Sequence, residues 1–545
     1  MKRYFMILLL LCAFSAQGQE VLKYWVRFAD KADTPYSLDR PEEYLSPRAL
    51  QRRQTLQVAV DSLDLPVCPS YLLMLRQAGF TVHAASRWMN GVILFAPDQQ
   101  TASQLDTLSF VASYTLYETA SATAPDEPVF DFGEEIPHQP FDTLYGSSYY
   151  GLGFPQIDQL HGTVLHQQGY QGDGMLIGVC DGGFPGVEDS PLFDSLRLNG
   201  RIVATRDFVW GGQEVYSIHN HGTMVLSTLA SNLPGSYVGT APKASYILCR
   251  TENTLSETPL EEYYWISAVE YLDSMGADII STSLGYYTFD DSTFDYQIHQ
   301  LDGQTSSMSQ AADIAVSRGM LLVCSAGNEG QAPEPHLGVP ADAAKVLTVG
   351  AVDREGLYAF FSSPGPTADL RIKPDVAAFG KQIAVGTTDA QVRTANGTSF
   401  SCPVIAGMMA CLWQRYPQLT PDQLCDSVRA WSNNAYLPDN YTGYGIPDFS
   451  HAFPSEPAVS IAETMTTSLP CRLAPNPATS GTTLLLPAGT TPANVTLFDP
   501  LGRPCRTFRT TAAQTNIPLD GLPRGCYTLR ITHGSSTETL PLLLQ

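Results

Sequence analysis

The sequence predicts an α/β protein: a central domain built on a parallel sheet, flanked by a small α+β unit before it and a β-sandwich after it. Three observations point there. Between residues 151 and 453, short apolar runs (175–180, 245–249, 277–281, 320–324, 346–349) alternate with helical segments (261–274, 308–317). Such alternation implies parallel strands covered by helices on both faces. Ahead of it, residues 19–118 mix strand-like stretches with two short helices, and beyond it residues 471–545 carry strand-like pieces parted by Gly, Pro and Asn. The last pattern is that of a small antiparallel sandwich.

In chain order, Lys2 and Arg3 precede an apolar run over 4–14, and Ala16-Gln17-Gly18 supplies small residues at cleavage spacing. Residues 1–18 therefore read as a secretory signal peptide. The run is shorter than the ~20 residues a spanning helix needs, and no later segment is apolar enough to cross a bilayer. Leu11 before Cys12 is too large for a usual lipidation site. In 19–118, strands are expected at 24–28, 80–85, 91–95 and 110–117, and helices at 46–53 and 70–77. Residues 119–150 are rich in Pro, Asp and Glu with little periodicity, which marks an accessible linker; 454–470 is a second. The final unit should place strands at 482–486, 494–498, 526–531 and 539–544.

The net charge of −23 over 545 residues excludes a nucleic-acid partner, whose phosphates need a basic surface. Of the ten cysteines past the leader, Cys180, Cys249, Cys324 and Cys411 lie in apolar runs and read as small core residues. Export permits disulfides, and one pair among Cys471, Cys505 and Cys526 is open. The spacings dictate neither a bridge nor a metal site.

In parallel sheets the functional groups gather beyond the carboxyl ends of the strands. Asp181 closes one apolar run, Ser283-Leu284-Gly285 follows another, and Gly327-Asn328 a third. A fourth group comes from Asn396-Gly397-Thr398-Ser399-Phe400-Ser401-Cys402-Pro403, a glycine-containing turn running into a long apolar helix. Ser399 would sit in that helix's first turn, where N–H groups lack intrahelical partners and the dipole favours negative charge. Acyl transfer by a serine needs a base and a carboxylate that orients it. The base is read as His221, heading a helical run, and the carboxylate as Asp181. Asn328 is the side-chain donor suited to an oxyanion. Singly, each has an ordinary reading as a cap, a core histidine or a turn residue; their joint placement at element ends favours chemistry.

The chain thus resembles a subtilisin-like serine protease. The order Asp181, His221, Ser399 matches the family's. Asp181-Gly182-Gly183 is similar to its Asp-x-Gly element, and His221 to Val225 to its His-Gly-Thr-x-Val. Gly397 to Pro403 matches Gly-Thr-Ser-Met-Ala-x-Pro, with Phe400 and Ser401 replacing Met and Ala. Ala326 to Asn328 matches Ala-Gly-Asn. The resemblance makes Asp181, His221, Ser399 and Asn328 catalytic, and Ser283, Leu284, Gly285 and Gly327 substrate-binding. Gly182 and Phe400, as departures, bear on pocket shape. His161-Gly162-Thr163-Val164 imitates the histidine element but precedes the first strand, so it reads as a surface helix start, and His219 as a neighbour.

By the same resemblance, 19–118 is a propeptide that assists folding and blocks the cleft, with 119–150 the processing region and 151–453 the peptidase domain. Residues 471–545 resemble the sorting domain of type IX secretion cargo, through Leu473 to Ala478, Asp499 to Gly502 and Leu522 to Tyr527. The expectation is a secreted or surface-attached serine endopeptidase made as a zymogen and exported through the periplasm of a Gram-negative bacterium. Its partners would be protein substrates and the type IX machinery. No cofactor is required. Relatives often bind structural calcium, which acidic loops such as Asp290-Asp291 could hold, but no ligand set stands out. The rival reading is a catalytically silent adhesin or binding protein on the same fold; a third makes the C-terminal module a substrate- or carbohydrate-binding domain.

Overall fold

The structure is a computed structural model that describes residues 21–120, 147–453, 471–487, 491–499, 502–534 and 536–544. The signal peptide, nearly all of the first linker and the second linker lie outside the described residues. The chain divides into two compact units, 1–454 and 455–545.

The N-terminal domain of the first unit is a four-stranded antiparallel sheet. Its strands are β1 (Val21–Phe28), β2 (Thr81–Ser86), β3 (Gly91–Ala96) and β4 (Val111–Ala120), in the order β2-β3-β1-β4. Helices α1 (Pro47–Leu56) and α2 (Pro69–Gln77) lie where the pattern predicts them. Both begin with Pro at the first helical position, where its missing N–H costs nothing, and Ser46 caps α1 by accepting from Ala49 N.

The central sheet has seven parallel strands: β5 (Leu176–Asp181), β6 (Ile202–Asp207), β7 (Ser245–Arg250), β8 (Ile279–Thr282), β9 (Leu321–Ser325), β10 (Leu347–Val352) and β11 (Val376–Phe379). Their order is β11-β10-β9-β8-β5-β7-β6. The covering helices include α3 (His221–Ala230), α4 (Leu260–Met275), α5 (Ser307–Ser317) and α6 (Thr398–Arg415). The alternation identified five strands; β6 and β11 escaped it because they form the two edges. One edge strand is half-exposed and the other only four residues long, so neither needs a long apolar run. Pairing of Cys180 with Thr282, and of Thr282 with Cys324, sets three strand ends level. That register brings Asp181, Ser283 and Ser325 to one rim.

The second unit is a sandwich of two antiparallel sheets. One holds β12 (Arg472–Ala474), β13 (Gly481–Leu485) and β16 (Gln514–Pro518); the other holds β14 (Ala493–Phe498), β15 (Pro504–Thr510), β17 (Gly525–His533) and β18 (Ser536–Leu544). Leu484 and Ile517 of the first meet Val495, Leu529 and Ile531 of the second in one buried core. Cys471, Cys505 and Cys526 are separate thiols. Among the described residues, no helix is long and apolar enough to cross a membrane.

Candidate active site

Asp181 ends β5 with 2% of its surface exposed. A carboxylate that far from water needs hydrogen bonds to remain ionised, and it accepts from Gly182 N at 2.7 Å and from His221 Nδ1, which lies 2.9 Å from both oxygens. Glycines make this approach feasible. A Cβ on Gly222 would lie 2.3 Å from the Gly183 carbonyl oxygen and 2.9 Å from Asp181 Cβ. Only a bare backbone lets the first turn of α3 press so closely on the strand end. Burial alone would lower the pKa of His221, but the charge of Asp181 and its hydrogen bond outweigh that and hold the imidazole above its ordinary value. The Asp181 bond also leaves Nε2 as the nitrogen that can take up a proton.

Ser399 lies in the first turn of α6, and α6 packs against α3. Phe400 bridges the two: its ring is 5.6 Å from that of His221, centre to centre, and is itself buried. The Met-to-Phe departure therefore falls on the packing behind the imidazole rather than on the wall of the cleft. Pro403 explains another contact. It lacks the N–H that would bond the Ser399 carbonyl, and Ser283 Oγ donates to that carbonyl instead, at 2.8 Å, while Ser399 Oγ donates to the Ser283 carbonyl at 3.4 Å. The segment after β8 is thereby tied to the serine.

Asn328 sits just past β9. Its Oδ1 accepts from Thr398 N at 3.0 Å and from Thr398 Oγ1 at 3.2 Å. The oxygen thus caps a first-turn donor of α6, and the Nδ2 hydrogens are left on the opposite side of the amide. Gly327 has φ +105°, and a Cβ there would lie 2.8 Å from Ser363 Oγ. Glycine is required by the turn itself, not only by the approach of a ligand.

Ser283, Leu284, Gly285, Gly327, Asn328 and Ser399 border a single cavity of about 600 Å³. The imitation motif lies elsewhere: His161 is exposed, has φ +49° and pairs with Asp448 at 3.0 Å just before a short helix. His219 Nδ1 accepts the His221 backbone N–H at 3.4 Å, as a neighbour would. Thr398, which bonds both Gly327 and Asn328, lies within the serine motif, where the sequence alone gives it no role; only its partners across the site reveal one. Asp290 and Asp291 accept backbone N–H groups of Glu257 and Thr293 and so serve the turns. Among the described residues, no group of three or more His, Cys, Asp or Glu is placed to hold a metal ion.

A parallel-sheet α/β domain with a carboxylate–imidazole pair beside a helix-borne serine defines the class of serine peptidases with an Asp, His, Ser chain order. Residues 172–449 match the Subtilase family model, and the chain belongs to that family. Residues 23–128 match the Peptidase S8 propeptide domain, Bacteroidota, and 472–545 the secretion system C-terminal sorting domain. Subtilisin E of Bacillus subtilis is 30% identical over 343 residues, covering 62% of this chain and 78% of that protein. Subtilisin of Bacillus pumilus is 30% identical over 295 residues, covering 53% and 94%. A crystal structure of MycP1 from Mycobacterium smegmatis covers 63% of this chain and 94% of its own at 22% identity, with a TM-score of 0.45. The protein is a serine endopeptidase with a propeptide and a secretion sorting tail, and its chemistry needs no cofactor.

Proposed function

We propose that Ser399 is the nucleophile, His221 the general base and acid, Asp181 the residue that orients it, and Asn328 with the Ser399 N–H the oxyanion donors. Ser399 Oγ attacks the scissile carbonyl as His221 Nε2 takes its proton. The tetrahedral oxyanion is stabilised by Asn328 Nδ2–H and by first-turn N–H groups of α6, whose dipole is positive at that end. His221 then gives the proton to the departing amine, leaving an acyl-enzyme. Water, deprotonated by the same imidazole, hydrolyses it. Ser283, Leu284, Gly285 and Gly327 line the substrate cleft. The 2.9 Å bond between Asp181 and His221, with the His221 ring packed 5.6 Å from that of Phe400, the residue after Ser399, is the observation that carries this reading.

The domain limits proposed with it are signal peptide 1–18, propeptide 19–118, processing linker 119–150, peptidase domain 151–453, linker 454–470 and sorting domain 471–545. The enzyme is made as a zymogen, passes through the periplasm of a Gram-negative bacterium, and is released or surface-attached by the type IX machinery. A structural calcium receives no ligands in this reading. Casein cleavage by the secreted chain tests the assignment. Ser399→Ala should lower kcat about a millionfold, the size of loss known from subtilisin itself. Undiminished cleavage by that variant would sink it.

A further inference from the structure

The cavity beside Ser399 is bordered by Glu257 and Glu329, and among the described residues neither Lys nor Arg lines it. Glu257 belongs to a loop that carries further acids. Glu252 receives the Tyr286 hydroxyl on both oxygens at 2.7 Å, and Tyr286 itself lines the cavity. Glu261 is 1% exposed and accepts from Asn253 N at 2.6 Å and Thr258 N at 3.0 Å, which shapes the loop. Glu257 is held against Asp290 by a pair of bonds of 2.9 and 3.0 Å. Among the described residues, none of Glu252, Glu257 and Glu261 has a cationic partner. Burial, and then repulsion from neighbouring acids, pushes the Glu252 and Glu261 carboxyls above the usual range, whereas Glu257 is the exposed acid of the loop.

An independent feature of the same wall is His336, 9% exposed and packed at a tilt against Tyr287 with ring centres 3.6 Å apart. Its Nδ1–H donates to the Glu334 carbonyl at 2.6 Å, since a carbonyl can only accept. That bond fixes the tautomer and makes Nε2 a hydrogen-bond acceptor. Nε2 is buried with no donor among the described residues. A buried acceptor without a donor is destabilising, and a ligand bearing N–H groups would relieve it.

We infer that the cleft selects a lysine or arginine side chain on the acyl side of the scissile bond, received by the Glu257 carboxylate and His336 Nε2. The inference rests on the reading of this cavity as the substrate cleft. An ammonium or guanidinium supplies both the charge the loop lacks and the donor the imidazole lacks. An apolar side chain would leave both unmet, and an acidic one would add repulsion.

The test uses the secreted enzyme, its active fraction fixed by titration with a fluorophosphonate. Fluorogenic tetrapeptide amides carry Lys, Arg, Leu, Phe or Glu at each of the four acyl-side positions in turn. At one position at least, kcat/KM for Lys or Arg should exceed that for Leu and Glu by tenfold or more. Glu257→Gln should cut that ratio at least fivefold, and Glu257→Lys should invert it toward Glu. An enzyme that titrates fully yet shows no basic preference at any position overturns the inference, as does a Glu257→Gln enzyme that keeps the wild-type ratio. A chain that takes no label overturns the peptidase reading, and this one with it.

Discussion

The two ends of α4 carry acids under opposite regimes. At its C-terminal half, Asp273 and Glu270 face the N-terminal domain. Asp273 is fully buried and pairs with Arg52, with Arg53 at 2.7 Å and with Arg87 at 2.5 Å. Glu270 accepts from Ser86 Oγ, Arg87 N and Trp88 N. Nearer the N-terminal end of the helix the contact with that domain is apolar: Trp25 stacks on Tyr263 with ring centres 4.0 Å apart. At the N-terminal end, Glu261 and its neighbours Glu252 and Glu257 have hydrogen bonds but no cation among the described residues. The helix dipole explains part of the asymmetry: it favours carboxylates in the first turn and disfavours them in the last. Burial would raise the pKa of Asp273, and three guanidiniums more than reverse that. One end is closed electrostatically by the propeptide. The other, beside the cleft, is left open to whatever cation arrives.

The largest effect should come from breaking the closed end. In the unprocessed Ser399→Ala chain, adding Asp273→Asn removes the carboxylate that Arg52 and Arg87 share, while Arg53 keeps Asp64; the loss should be about 3–5 kcal/mol, read by denaturant unfolding of the first unit. A change below ~1 kcal/mol would mean that apolar packing, not charge, seats the propeptide. Slightly smaller is the predicted cost of Asn328→Ala: a fall in kcat of about a hundred- to thousandfold, again the size known from subtilisin, with KM little changed. A loss confined to KM would place Asn328 in ground-state binding. The smallest effect belongs to the open end. Glu257→Gln should alter stability by no more than ~0.5 kcal/mol, as for an exposed residue with no ion partner. A large destabilisation would show that the loop has a hidden cation.

Much of this was legible in the residues. The interior strands β5, β7, β8, β9 and β10 announce themselves as apolar runs, whereas the edge strands do not: β6 is partly exposed, and β11, though buried, is only four residues long. Asp181, His221, Ser399 and Asn328 stood at element ends in the family's order. Which partners hold them was not readable. Pro403 signals that the Ser399 carbonyl loses its helical donor, but only folding reveals that Ser283 replaces it. Likewise Glu257 and His336 lie on separate segments, and nothing local says that they border one cleft.

The rate of fluorophosphonate labelling against pH tests the activation of Ser399 most directly. The account predicts a single adduct on the peptide bearing Ser399, forming through neutral His221. Since Asp181 raises the histidine's pKa, the rate should fall as pH drops through a midpoint above 6.5, and Asp181→Asn should both slow the reaction and move the midpoint down. An adduct on another serine, or labelling that is independent of pH and of Asp181, would contradict it.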